Sequence, residues 1–328
     1  MPVISIITPS YNQGKFIEQT IQSVLKQNIS GLDYLVVDGG STDETLNILR
    51  HYENRIRWIS ENDNGQTDAI NKGLKLTRGD IIGWINSDDI YYEGALSKIM
   101  NFFREHPDIE VLYGDADHID KDGNLIELYY TEDWNYNRLK EICFICQPTV
   151  FFRRRIMEKA GPLDKNLRYC MDYEYWLRLG AITPFVRLRQ KLAGSRLYPE
   201  NKTLGSRVAV HLEINTMIQQ KLGYVPKRWI YAYAHAVANN KNYQLNNPFE
   251  NCWYVISLLK ANIKGFSRWK PAISTRDFVT MSGWIVGAVS NLLRNIINWT
   301  IHRIILFFLL TGAKIRAGLK MLKFNKKK

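Results

Sequence analysis

The sequence predicts an α/β fold, a mostly parallel sheet with helices on both faces, followed by a helical C-terminal region. Three observations predict it. Apolar runs alternate with helically spaced apolar residues four times over about a hundred residues; each run ends in a polar cluster; and from Ser206 to about Lys260 the pattern becomes largely helical.

The first run, Val3 to Thr8, is β-branched and continuous, as in a strand buried on both faces, and Pro9 ends it. Phe16, Ile17, Thr20, Ile21, Val24 and Leu25 then recur at helical spacing. "YLVVDGG" is followed by Leu46, Ile48, Leu49 and Tyr52; "IRWISE" by Ile70, Leu74 and Leu76; "DIIGWINS" by Leu96, Ile99, Met100 and Phe103. Right-handed crossovers put the carboxyl ends of these strands on one edge, where open α/β sheets bind ligands. The polar clusters at those ends are Ser10 to Gln13, Asp38 to Thr42, Glu61 to Gly65 and Asn86 to Asp89. "EVLYGDADHID" and "NLIELYY" flank Lys121-Asp122-Gly123, a hairpin turn signal, and "PTVFFRR" reads as a further strand before a helix over Tyr173 to Leu179.

A 328-residue chain that is 45% hydrophobic and 23% charged is globular. Its net charge of +12 is uneven: residues 278–328 hold nine Lys/Arg and no Asp or Glu, which leaves +3 for the rest. The excess sits on an apolar tail instead of a basic face with exposed aromatics, so a nucleic-acid partner is not expected. The N-terminus runs straight into a strand without a signal-peptide pattern, which places the first domain in the cytosol. Cys143 and Cys146 form a lone C-x-x-C without a second pair, and with Cys170 and Cys252 read as buried thiols. Gly39-Gly40 completes neither a dinucleotide-binding nor a P-loop fingerprint.

The tail from Met281 to Lys320 is interrupted by Asn291, Arg294, Asn295, Asn298, His302 and Arg303, and its longest clean run, Ile304 to Ala313 apart from Thr311, is about half a membrane span. Leu292, Leu293, Ile296 and Ile297 share a helical stripe. Monotopic attachment to an anionic membrane surface is expected, ahead of a tilted span or hairpin and of a soluble helical subdomain. Three regions follow: residues 1–205 as the catalytic domain, 206–277 as a helical extension and 278–328 as the membrane-associating tail.

Asp88 and Asp89 stand at the end of the fourth strand, where hard carboxylate oxygens can hold Mg²⁺ or Mn²⁺ against a diphosphate; the competing reading is a cap for the next helix. The ordered set "VSIITPSYNQ", "VVDGGSTDET", "NGQTDAINKGL", "GDIIGWINSDD" and "MDYEYWLRLG" resembles the family 2 glycosyltransferases of bacterial surface-polysaccharide type, whose fold is glycosyltransferase A-type. The resemblance covers about residues 1–205. It implies a metal-dependent, inverting transfer of a sugar from a nucleoside diphosphate, a UDP-sugar favoured, to a hydroxyl of a polyprenyl-linked glycan at the cytoplasmic face of the membrane.

By the same resemblance Asp89 is the expected metal ligand and Asp88 faces the donor ribose or sugar. Asp38 falls where the family binds the base, with Thr8, Pro9, Tyr11 and Asn12 as pocket wall, and Asp68 and Lys72 are further donor contacts. Asp172 falls on the catalytic base, its alternative being a cap of the helix it precedes. Met171 stands where many members have Glu, and Tyr198 where members often have a His that touches metal or diphosphate; Arg196 and Lys202 are then the phosphate contacts. Trp84, Trp134 and Trp176 can stack on sugars, although Trp84 suits the core of its strand. The rival readings are a nucleotidyltransferase, for which "TPSYNQGKF" lacks the Gly-rich basic loop, and an inactive sugar-binding or assembly partner.

Overall fold

The computed structural model describes residues 4–271 and 274–325, with backbone alone for residue 299 and residues 304–325. The chain forms two compact units, Met1–Trp229 and Ile230–Lys328.

The first unit opens with the expected alternation. Strand β1 (Ile4–Ser10) leads to α1 (Ile17–Leu25), β2 (Asp33–Asp38) to α2 (Thr45–His51), β3 (Arg57–Ser60) to α3 (Gln66–Leu76), and β4 (Ile81–Trp84) through the short β5 (Ile90–Tyr91) to α4 (Ala95–Glu105). Then come β6 (Val111–Ile119), β7 (Leu125–Leu128), α5 (Tyr136–Glu141), β8 (Phe151–Arg153), α6 (Arg154–Ala160), α7 (Met171–Gly180), β9 (Phe185–Arg196), α8 (Lys202–Gly205) and α9 (Arg207–Leu222). The strand order is β3-β2-β1-β4-β8-β6-β9-β5, with β7 paired to β6.

β1 is central because all seven of its residues are buried. It pairs in parallel with β2 and β4, and β2 pairs in parallel with β3, so the four polar tips meet on one edge. Close packing fixes the layers. A Cβ on Gly73 of α3 would stand 2.4 Å from Ile7 Cγ2, and one on Gly83 of β4 would stand 2.5 Å from Phe151 Cε1, so both positions exclude any larger side chain without movement.

The predicted β6–β7 hairpin forms, with Asp120 Oδ1 accepting from the amides of Asp122 and Asn124 and Gly123 at φ 93°. Two strands were not expected. β9 lies parallel to β6, and β5 antiparallel to β9, so the far half of the sheet is mixed.

The units part at Trp229, so α9 belongs to the first unit. The second unit contains most of α10 (Lys227–Asn239), then α11 (Pro248–Trp269) and α12 (Thr275–Asn325). Ala234, Ala238, Leu258 and Ala261 form its small apolar cluster, against which Tyr254 and Trp284 pack. Among the described residues no helix is long and apolar enough to cross a membrane. The Ile304 to Ala313 run lies outside the described side chains.

Candidate active site

The strand tips of the first unit line a cavity of about 720 Å³, within the size range of small-molecule sites. Its wall takes Pro9, Tyr11, Gly39, Asp63, Asp88, Asp89, Asp172 and Lys202 from segments far apart in sequence. Ser10 Oγ and Gln147 Oε1, both on this wall, are buried and have no hydrogen-bond partner among the described residues. Such atoms commonly meet a ligand or water.

Asp88 and Asp89 occupy the turn between β4 and β5. Asp89 is 3% exposed; its Oδ1 accepts from the Arg196 amide at 2.8 Å and its Oδ2 from Asn86 Nδ2 at 3.3 Å. Asp88 Oδ2 accepts from the Tyr198 hydroxyl at 2.9 Å. Burial pushes both carboxyls up, and Asp89 further because Asp88 stands beside it. The helix-cap reading fails, since α4 is capped by Gly94 without any side-chain hydrogen bond.

Two adjacent carboxylates, both raised by burial and Asp89 also by the charge of Asp88, suit a divalent cation, whose binding would offset that cost. Among the described residues no group of three or more His, Cys, Asp or Glu stands ready to hold a metal. A hard ion here would take Asp88 and Asp89 from the protein and its remaining oxygens from diphosphate and water, the usual habit of Mg²⁺. Tyr198 fills the place expected for a His, and it engages Asp88 while its ring packs on Phe16 at 4.9 Å.

Asp172 is the second residue of α7, whose N-cap is Cys170, so it does not cap the helix. Its Oδ1 accepts from the Tyr173 amide at 2.8 Å. Burial raises the carboxyl to about 6, and the charge of Glu213 adds to the rise. That value suits a general base working near neutrality.

Several expected donor contacts stand behind the wall. Asp38 is 0% exposed, and its two oxygens accept from the amides of Gly40 and Ser41 and the hydroxyls of Ser41 and Ser60. It braces the tips of β2 and β3. Thr8 is buried against the Tyr34 hydroxyl, and Asn12, at φ 51°, accepts from the Thr42 amide and donates its own amide to Ser41 Oγ. Asp68 holds Lys165 and Lys72 also pairs with Glu61 at 3.0 Å, so this pair fixes the cavity wall without lining it. Arg196 is 2% exposed; its guanidinium donates to the carbonyls of Asp88, Asp120 and Lys121 and to Gln19 Oε1. It lines the cavity as Lys202 does, but its guanidinium is taken up in holding the Asp88 turn, whereas the Lys202 amine donates to Gln66 Oε1 at 2.6 Å. Trp176 stacks on Trp84 at 5.1 Å and Trp134 on Phe185 at 4.2 Å, so these rings are spent on the protein's own packing.

Residues not singled out from sequence complete the wall. Asp63 stands over Gly39 so closely that a Cβ there would lie 2.9 Å from its Oδ2; its Oδ1 accepts from the Gly65 amide. Lys165 and Arg168 come from the loop before α7. Asp63 belongs to a polar tip already visible in the sequence, whereas nothing in the loop's composition marks the two cations.

An open α/β sheet with a polar cavity at its strand ends, lined by Asp88, Asp89 and Asp172, has the glycosyltransferase A-type architecture. Residues 5–161 match Glycosyl transferase family 2. It is 32% identical over 209 residues to chondroitin synthase of Escherichia coli, a match covering 62% of this chain and 30% of that protein. It is 29% identical over 182 residues to a PGL/p-HBAD biosynthesis glycosyltransferase of Mycobacterium bovis, covering 54% of this chain and 69% of that one. The fold resembles S. aureus TarS 1-349 in complex with UDP-GlcNAc (TM-score 0.54, 19% identity, 79% of this chain and 81% of that chain). It also resembles the mannosyltransferase PcManGT of Pyrobaculum calidifontis in complex with GDP-Man and Mn²⁺ (TM-score 0.53, 16% identity, 89% and 87%).

Proposed function

We propose that the chain is an inverting glycosyltransferase that moves a sugar from a nucleoside diphosphate, UDP favoured, to a hydroxyl of a lipid-linked glycan in surface polysaccharide assembly. The observation that carries this reading is the cavity itself, with Asp172 and the Asp88–Asp89 pair on one wall. The exposed Tyr11 ring offers a stacking face for the base, and Asp63 an acceptor for a base N–H. The acceptor hydroxyl attacks the anomeric carbon as the bond to the diphosphate oxygen breaks; Asp172 takes the hydroxyl proton, and the electron pair leaves with the diphosphate. Lys165, Arg168 and Lys202 offset the charge that develops on it. Mg²⁺ or Mn²⁺, when bound at Asp88 and Asp89, supplies further charge stabilisation to the leaving group.

UDP- and GDP-sugars, each with and without Mn²⁺, should be screened by thermal stabilisation and by release of free nucleoside diphosphate. Stabilisation and release with one of them are expected; neither with any of them sinks the proposal.

The second unit supports attachment at the cytoplasmic face of a membrane. Residues 230–328 hold fifteen Lys/Arg against Glu250 and Asp277, so the rest of the chain has a net charge of −1 out of +12. On α12, Phe278, Val279, Ile285, Val286, Val289, Leu293, Ile296, Ile297 and Ile301 are exposed at spacings that keep them along one helical face. On α11, Phe249, Trp253, Ile256 and Ile263 repeat that pattern. An apolar face on a basic unit suits anionic lipid. Replacing Val286, Leu293 and Ile297 together by Glu, which spares Trp284 in the apolar cluster, should move the protein from the membrane pellet to the supernatant. Undiminished sedimentation with membranes in high salt would remove this unit as the anchor.

A further inference from the structure

Helix α9, read from the sequence as part of an extension beyond the catalytic domain, grips the segment that carries Asp172 at two points. Its Glu213 Oε2 accepts from the Arg168 amide at 2.9 Å, and its Oε1 from the amides of Tyr169 at 2.7 Å and Cys170 at 2.9 Å. Three successive backbone N–H groups thus converge on one carboxylate, each bond strengthened by its charge. Two turns further along α9, Lys221 Nζ meets Glu174 Oε1 at 2.7 Å. Glu174 is buried and is also held by Arg178 at 2.8 Å. Cys170 and Glu174 lie two residues before and two after Asp172, so α9 brackets the base.

The same loop is tied from the other side by α3. Thr67 Oγ1 donates to the Leu167 carbonyl at 2.9 Å, and Asn71 exchanges hydrogen bonds with the backbone of Leu163, each at 2.9 Å. Arg168 and Tyr169, whose amides Glu213 holds, line the cavity, whereas Glu213 does not. A change in where this loop stands therefore moves cavity wall and base together.

We propose that Glu213 is a positioning residue for sugar transfer, one that sets Asp172 and the Arg168–Tyr169 wall against the acceptor through the three amides it binds. This rests on Asp172 being the base. A shift of about 1 Å in a reacting group can cost roughly a hundredfold in rate, so the effect should fall on turnover while the donor stays bound by the distant tips of β1 to β4.

The test uses the full-length protein, with UDP affinity from calorimetry and turnover from release of UDP from the UDP-sugar that stabilises the enzyme, water serving as acceptor where no glycan is supplied. Glu213→Ala should lower kcat roughly 10- to 100-fold with a much smaller loss of UDP affinity, the part that a shifted Arg168 accounts for. Glu213→Gln keeps the size and one good acceptor oxygen; it should recover part of the lost rate, and it carries the test if the alanine variant does not fold. Lys221→Met should give a smaller loss of the same kind. Wild-type kcat in Glu213→Ala, or loss of UDP affinity in step with kcat in both Glu213 variants, would overturn the proposal, the latter by marking a general structural role. Asp172→Asn run in parallel separates the two readings: full turnover there removes the base, while a loss mainly in kcat at Glu213 still reports on the Arg168–Tyr169 wall.

Discussion

Asp172→Asn should lower turnover by roughly 10²- to 10⁴-fold, the range for losing a positioned general base, while UDP binds as before. The substitution is suited to the question because Asn keeps an oxygen where Oδ1 accepts from the Tyr173 amide, so the start of α7 is preserved. The pH dependence of the wild type provides a second measurement. A base acts only when deprotonated, and burial raises this carboxyl to about 6, so kcat should fall as pH drops through 6 and level off above it. Stability should move the opposite way. A carboxyl raised in the folded state holds its proton more tightly there than when unfolded, so its ionisation penalises the fold as pH rises through 6. Removing that charge should stabilise the variant at pH 8 by on the order of 1–3 kcal/mol, and by progressively less at lower pH. A slow variant with a raised Tm at pH 8 would mark a residue held in a costly state for chemistry. Full turnover would end the assignment.

The near half of the sheet was legible because each of β1, β2 and β4 is a local apolar run, and parallel pairing then forces the polar tips together. β9 was not legible, for a physical reason. Its inner stretch reads Arg187, Arg189 and Lys191 at alternate positions, which looks like exposed loop until their partners are known. Arg187 pairs with Asp115 at 2.7 Å, Arg189 with Asp133 at 2.6 Å and Lys191 with Asp117 at 2.8 Å. Their partners are acids more than fifty residues away, beyond the reach of a periodicity argument.

The site shows the same division. Asp88 and Asp89 were expected from their strand-end position and Asp172 from the family resemblance, and all three line the cavity. Asp38 stands at an equivalent tip, yet Ser41 and Ser60 turn its carboxylate into the brace of the loop, and Asp63 from the next strand takes the cavity wall. Motif position fixes which tip a residue occupies. Whether its side chain faces ligand or protein depends on neighbours contributed by other segments.

Asp89→Asn should abolish Mn²⁺-dependent stabilisation by UDP, which at a UDP concentration a hundredfold above Kd amounts to about 2.7 kcal/mol in a competent protein. The apo protein should be no less stable at neutral pH. Burial and the neighbouring Asp88 charge already push the Asp89 carboxyl well up, so ionising it without a cation costs the fold, and Asn resembles the protonated form while keeping an acceptor for the Arg196 amide. Asp89→Ala is the poorer choice because it leaves that buried amide without its partner, a cost of about 1–3 kcal/mol unrelated to metal. Asp88→Asn provides the contrast. It keeps an acceptor for the Tyr198 hydroxyl but still removes a ligand charge, so it should weaken Mn²⁺-dependent binding as well. If Asp89→Asn retains the full Mn²⁺-dependent shift with UDP, the cation is held elsewhere, and the charge at the leaving diphosphate falls to Lys165, Arg168 and Lys202. A shift equal in size with and without Mn²⁺ in the wild type would likewise leave the charge of the diphosphate to Lys165, Arg168 and Lys202.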